Sequence, residues 1–369
     1  MKRAIFGIFV VLAAAAFAER SLTPGIEAFN ACVPAESENG VAFSPFAFEL
    51  DCCMFAEALD PVGRANVSEK LAVMSDFAAA YDPVIDTLQA MPPTNRIFFS
   101  SARTIGVMDI PKVNAEFKRR LFQMRTNASI SRLWPARGAE RWFQAMLDGW
   151  MEDFVMPVGK IGNEEYTVVD ATVVAAQTLD NADATTSDAK FKKSSGGDVK
   201  IPFLKFRAKA DFVRDAEKVV VRIPLRGDAF LYVLMPRGKT TLADVRRSIT
   251  GETIIMRTLE PLDATQKGYG SGVCEVSIPK LDTFTTTETE NGFAALKIQA
   301  KEILYLYPAL LHRTAYQVVR FILDAGEVPE KPDVLPAATE KLTFDRPFVF
   351  FVYHPGKNFI PVVGQFTGE

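Results

Sequence analysis

The chain has 369 residues, 48% of them hydrophobic and 24% charged, with a formal net charge of −3. That balance is ordinary for a globular protein with room for a sizeable core. It lacks the strongly basic character that nucleic acid or an anionic membrane demands, so neither is expected as a partner.

Lys2 and Arg3 precede a continuous apolar run over residues 4–15, too short for a typical membrane span. Ala16-Phe17-Ala18 follows as a small-x-small cleavage site. The pattern predicts a signal peptide over residues 1–18 and a mature chain from Glu19. It implies a secreted or extracytoplasmic protein, extracellular or, in a bacterium, periplasmic. Export permits disulfides. A bridge from Cys32 to Cys52 or Cys53 and a set of free buried thiols including Cys274 are both open readings. Asn66-Val67-Ser68 and Asn127-Ala128-Ser129 match the N-glycosylation sequon, which matters only in a eukaryotic secretory pathway.

Residues 26–32 read as helix and residues 40–46 as a short strand and turn. Residues 48–59 are apolar on most faces, as in a buried helix ending at Asp60-Pro61. Residues 66–81 read as one further helix. Over residues 140–151, Trp142, Phe143, Met146, Leu147 and Trp150 form a one-sided stripe suited to packing. Strands then dominate, beginning at residues 166–174. Residues 181–197 are polar and read as a solvent-side loop. Strands follow at 199–206, 219–223 and 229–234, the last two joined across Arg226-Gly227-Asp228, which reads as a turn. Thr241 and Asp244 form a capping box opening a short helix. Further strands are expected at 275–278, 303–307 and 315–321. Two more close the chain at 347–353 and 359–366, joined by a loop in which His354 is expected to be exposed. Helices first and strands later, without βα alternation, predict an α+β fold with mainly antiparallel sheets in a single domain over residues 19–369.

Chemistry is sparse. His312 and His354, the two histidines, are far apart and lack metal-ligand spacing. No nucleophile elbow, phosphate loop or dinucleotide fingerprint occurs. A conventional enzyme, a metal and a cofactor are therefore not expected.

Ordered motifs carry more. "GVAFSPFAFELDCCMFAEAL", "VVDATVVAAQTLD", "VVVRIPLRGDAFLYVLMP", "CEVSIPKLDT", "HRTAYQV" and "FDRPFVFFVYHPGKNFIPVVGQF" together resemble the serpin family over nearly the whole mature length. The resemblance implies a serpin fold of three mainly antiparallel β-sheets with surrounding helices, in a monomer. It also implies an exposed reactive-centre loop, here over residues 321–342, and an extracellular serine or cysteine protease as partner. In the family, a protease cleaves this loop and becomes acylated. The loop then inserts as a new central strand, and the release of strain distorts the trapped enzyme.

Carried over by position, the scissile region is Leu335, Pro336 and Ala337. The hinge falls on Arg320, Ile322, Leu323 and Asp324 in one register. A register sliding to Asp324-Ala325-Gly326 puts Glu327, Val328 and Pro329 there instead. The shutter beneath the sheet falls on Ser44, Asp170 and His312, with Ala47 replacing a second serine and Asp170 facing His312 in place of a neutral Asn–His contact. Thr178 stands where the family has tryptophan. Neither hinge register supplies the small residues that insertion favours. Pro329, Pro332 and Pro336 remove ladder donors, and Glu327, Glu330 and Lys331 resist burial. These features imply a non-inhibitory serpin. The alternatives are a serine or cysteine protease inhibitor, slow or not, and an adhesion or ligand-carrier protein on the same scaffold.

Overall fold

The computed structural model describes residues 21–368 apart from 74–76, 91–96, 125–126, 133–134, 160–164, 179–183, 250–264, 266, 299–310 and 326–334. The leader and the strand expected at 303–307 lie outside the described residues.

After α1 (Thr23–Cys32) and β1 (Val41–Phe43), the chain enters α2 (Pro45–Glu57). Ser44 starts this helix: its Oγ accepts from the Ala47 N–H, and Pro45 occupies the first turn, where no N–H is needed. Every residue of α2 is buried, as a helix apolar all round must be. Asp60 then caps α3 (Pro61–Lys70), accepting from the Gly63 N–H. α4 (Phe77–Ala90) is a separate element, so the single helix expected over 66–81 is two.

Next come β2 (Phe98–Val107), α5 (Ala115–Gln123), β3 (Ala128–Arg132), α6 (Arg137–Met146) and β4 (Glu165–Gln177). Trp142 packs edge-on to Phe143, and Trp150 stacks on Phe98, as the apolar stripe predicts. β5 (Thr185–Lys192) occupies part of the segment expected to be a loop. It is an edge strand with only Phe191 buried, so its polar composition concealed it. Then follow β6 (Asp198–Arg214), β7 (Lys218–Leu225), β8 (Ala229–Pro236), α7 (Leu242–Ser248), β9 (Tyr269–Pro279), β10 (Asp282–Glu288), α8 (Glu290–Ala295), β11 (Leu311–Asp324), β12 (Glu340–Thr343), β13 (Phe348–His354) and β14 (Phe359–Phe366).

The described strands form two hydrogen-bonded sheets. One has five strands in the order β10-β11-β4-β2-β3. Parallel β11 and β4 meet at its middle, and we call this boundary the seam and the sheet the seam sheet. The other, the long sheet, has nine strands in the order β1-β14-β13-β8-β7-β6-β9-β12, with β5 also on β6. The second and third sheets implied by the resemblance are continuous here, because β6 runs for 17 residues, pairing first with β5 and at its end with β7. The sheets face each other through a shared core in which Phe321 stacks on Phe350 at 5.1 Å. α6 covers the opposite face of the seam sheet with Phe143 and Leu147 against Val169, Ala171 and Val318.

Cys32, Cys52, Cys53 and Cys274 form no disulfide in the structure, against the reading of a bridge. His354 was expected in solvent and is only 4% exposed. The short helical turn after β13 folds its ring against Phe359.

Candidate functional site

The sequence assigns function to three places: the hinge, the scissile region and the shutter. The structure treats each differently.

Arg320, Ile322, Leu323 and Asp324, expected as hinge residues at the root of an exposed loop, lie within β11. They are opposite Val173, Ala175, Ala176 and Gln177 of β4, and Arg320 and Ile322 also pair with β10. Phe321 and Leu323 point into the core. Arg320 clasps Asp282 of β10 with Nε and Nη2, both at 2.9 Å, and donates from Nη1 to the Trp150 carbonyl. The alternation of Val319, Phe321 and Leu323 is the pattern of a half-buried strand, and it overrides the loop assignment. At Asp324 itself the seam is still closed. The Thr178 N–H donates to the Asp324 carbonyl at 3.2 Å, and the Arg226 N–H donates to the Gln177 carbonyl at 3.0 Å. Gly326 and Pro329, the remaining hinge positions, lie outside the described residues.

Arg226 is 9% exposed, and its tripeptide forms the turn between β7 and β8.

The expected loop reaches only to β12. Glu340 and Leu342 pair with Cys274 and Val276 of β9. Of the scissile region, Pro336 and Ala337 are exposed, but Leu335 is 6% exposed.

The shutter differs most. Register puts Gln317, not His312, opposite Asp170; His312 stands opposite Tyr166. The ladder register therefore does not set His312 against Asp170. The Gln317 side chain instead takes hold of the start of α2. Its Oε1 accepts from the Ser44 N–H at 2.8 Å, and its Nε2 donates to the Ser44 carbonyl at 3.0 Å. An amide is suited to this because it has a donor and an acceptor in one plane.

Asp170 joins a buried group that the sequence reading missed. Arg103 of β2, directly opposite it in the sheet, donates from Nη2 to Asp170 Oδ2 at 3.1 Å. The same guanidinium donates from Nε to Asp51 Oδ1 of α2 at 2.9 Å and from Nη2 to the Ser101 hydroxyl. Thr172 Oγ1 donates to Asp170 Oδ1 at 2.7 Å. Arg103 and Asp170 are 0% exposed and Asp51 is 1% exposed.

One cation thus serves two carboxylates in the interior. Burial pushes the Asp51 carboxyl well above the usual range, Asp170 adds to the rise, and Arg103 offsets it only in part. Burial also raises Asp170, with Arg103 and Thr172 working against it. A signal for this group was present: Arg103, Asp51 and Asp170 are charges embedded in "FFSSARTIGV", "FAFELDCCMF" and "VVDATVV". A charge in an apolar run needs a buried partner.

These contacts have a mechanical consequence. α2 is fastened to both sides of the seam, to β11 through Ser44–Gln317 and to β2 and β4 through Asp51–Arg103–Asp170. Neighbouring strands lie about 4.8 Å apart. A strand entering between β4 and β11 would widen their separation by about that much, and at least one set of contacts would have to break.

Comparison with known proteins agrees with this topology. A family model described as Serpin (serine protease inhibitor) matches residues 23–301. No curated protein matches the sequence. Among solved structures, the fold is similar to native protease nexin-1 with heparin, at TM-score 0.75 and 14% identity, covering 96% of this chain and 99% of that one. It is similar to Manduca sexta serine protease inhibitor (serpin)-12, at TM-score 0.74 and 14% identity, covering 94% and 98%. It is also similar to SRPN18 from Anopheles gambiae, at TM-score 0.74 and 16% identity, with the same coverage. At these identities the structures speak for the fold alone. Among the described residues, no helix is long and apolar enough to cross a membrane. With a family model matching well over half its length, the chain belongs to the serpins, a family that mostly inhibits proteases and does not catalyse.

Proposed function

We propose that this serpin is non-inhibitory: it meets proteases as a substrate or a binding partner and does not trap them by loop insertion. It is exported after loss of residues 1–18, acts as one monomeric domain over residues 19–369, and neither catalyses a reaction nor uses a cofactor. The observation that carries the reading is the fastening of α2 to both sides of the seam, by Gln317 on one side and Arg103 on the other. Breaking a buried ion pair leaves an uncompensated charge in the core, which costs about 3–5 kcal/mol. Freeing Ser44 from Gln317 leaves buried backbone groups without partners at about 1–3 kcal/mol. Insertion must meet at least one of these costs, and the chain it would insert contains Pro329 and Pro332, which cannot donate to a central ladder.

The test is to incubate the mature protein with a panel of serine and cysteine proteases and to follow both products. Cut protein without an SDS-stable complex is expected, and the singly cut chain is expected to melt close to the intact one. A trapped acyl-enzyme, together with a large upward shift in melting after a single cut, would establish the inhibitory reading instead. Export is tested separately, by N-terminal sequencing of protein from the native host: Glu19 is expected, and retained Met1 would overturn it.

A further inference from the structure

The segment that follows residue 334 is held by the arginines of β6 and the backbone of β9. From β6, Arg207 Nη1 donates to the Leu335 carbonyl at 2.8 Å and to the Pro336 carbonyl at 3.0 Å. Seven residues further along the same strand, Arg214 donates to Glu340 Oε2 at 3.1 Å and to the Lys341 carbonyl at 3.3 Å. Between the two arginines, the Thr339 N–H donates to the Val273 carbonyl at 3.0 Å, and β12 then lies along β9.

Serine and cysteine proteases attack the carbonyl carbon of the bond they cut. They stabilise the resulting oxyanion with donors that must reach that carbonyl oxygen. At Leu335 and Pro336 the oxygen is already engaged by a cationic donor, and the Leu335 side chain, which would have to enter the protease's specificity pocket, is buried against the protein. Charge-assisted hydrogen bonds are the stronger kind, and a single guanidinium here covers two consecutive carbonyls.

We propose that Arg207 is a guard residue that withholds the Leu335–Pro336 and Pro336–Ala337 bonds from proteases, so that the position aligned with the family's scissile bond is not available for attack. The proposal rests on this segment being met by proteases, but not on whether the loop inserts. Arg207 acts by positioning the chain: a protease reaches Leu335 only after the arginine lets go.

Proline after Leu335 is itself a poor leaving side for many proteases, so the test removes it first. In P336A, a chymotrypsin-type protease faces a Leu–Ala bond of ordinary chemistry. Cleavage after Leu335, mapped by mass spectrometry, is expected to remain slow in P336A and to become about tenfold faster in P336A/R207A, as loss of a charge-assisted contact implies. P336A/R207K is expected to fall between, since a lysine keeps the charge and loses the fork. Cleavage at other bonds and the melting temperature of the intact chain are expected to stay the same. Equal rates after Leu335 in P336A and P336A/R207A would overturn the proposal. So would a general acceleration at many bonds with lowered melting, which would make Arg207 a brace for the whole sheet. Should R207A fold poorly, R207Q with P336A carries the same comparison. These outcomes concern cutting rates at one bond. A trapped acyl-enzyme would bear on the non-inhibitory reading and leave the guard untouched.

Discussion

The seam and the β12 segment are both places where a strand meets a sheet, and they are fastened by opposite means. At the seam the ties are buried: Arg103, Asp170 and Asp51 are shut off from water, and Gln317 reaches the backbone of a core helix. At β12 the ties are partly or largely open to solvent. The Arg214–Glu340 pair has side-chain exposures of 32% and 44%, and Lys341 approaches Glu275 with exposures of 77% and 49%. Similar chemical groups, at similar distances, do different work. In water such a pair contributes about 0–1 kcal/mol, and it reforms easily after breaking. In the core the same pair adds little net stability, but its rupture leaves an unpaired charge, so it fixes one arrangement and resists any other. The ties at the seam are costly to break, and those at the β12 edge are not.

The largest expected effect comes from breaking the seam. Arg103→Met leaves Asp51 and Asp170 facing each other without their cation, and a loss of about 3–5 kcal/mol is expected in urea unfolding. Neutralising both acids in the same chain, with D51N and D170N added to R103M, is expected to recover most of that loss, because the cost lies in the orphaned charges. A deficit that persisted in the triple variant would assign the loss to packing of the arginine stem.

A second measurement sharpens the picture without breaking it. Asp51 titrates above the usual carboxylate range in the folded chain, chiefly through burial. The folded protein then keeps a proton that the unfolded chain has released. The associated stability is fully present below the ordinary value of 3.8 and is lost as pH rises toward the folded value. Asp51→Asn keeps an oxygen to accept from Arg103 Nε and removes the titration. It is expected to flatten this decline, so that the variant gains on the wild type as pH rises. Parallel stability curves for the two proteins would show that Asp51 is charged in both states.

The smallest effect is expected at the other region. Arg214→Ala removes an exposed pair and should cost less than about 1 kcal/mol. Raising the salt concentration should shrink even that difference, whereas the Arg103 variant should respond little. A loss at Arg214 comparable to that at Arg103 would erase the contrast between the two regions.

Much of the fold was legible because the serpin motifs fall in order on local elements whose patterns are strong by themselves. β13 is all buried and reads as a core strand, and the buried helix expected from residue 48 is present, beginning at Pro45. The site was less legible, for reasons visible in single residues. Motif position puts His312 in the shutter, but position in a motif does not fix ladder register, and Gln317 is the residue opposite Asp170. Counting back from Phe344 assigns residues 321–324 to the loop, although their own alternation places them in a strand. His354 was read from its turn, and a turn's polarity says nothing about the ring that closes over it, here Phe359. Arg207 offered no local signal at all, since its role exists only when residue 335 returns to β6.

The long sheet has its first and last strands side by side: Val41 pairs with Gln365 and Phe43 with Val363. A chain made from its N-terminus therefore carries β1 unpaired until β14 is synthesised, and β4 waits in the same way for its parallel neighbour β11. Such distant pairings make folding slow and leave apolar strands exposed to other chains meanwhile. The nascent protein must spend most of its synthesis unable to close either sheet. A truncation that removed only β14 would leave β1 and β13 without their shared partner, and the shortened chain would be expected to aggregate and not to settle into a smaller fold.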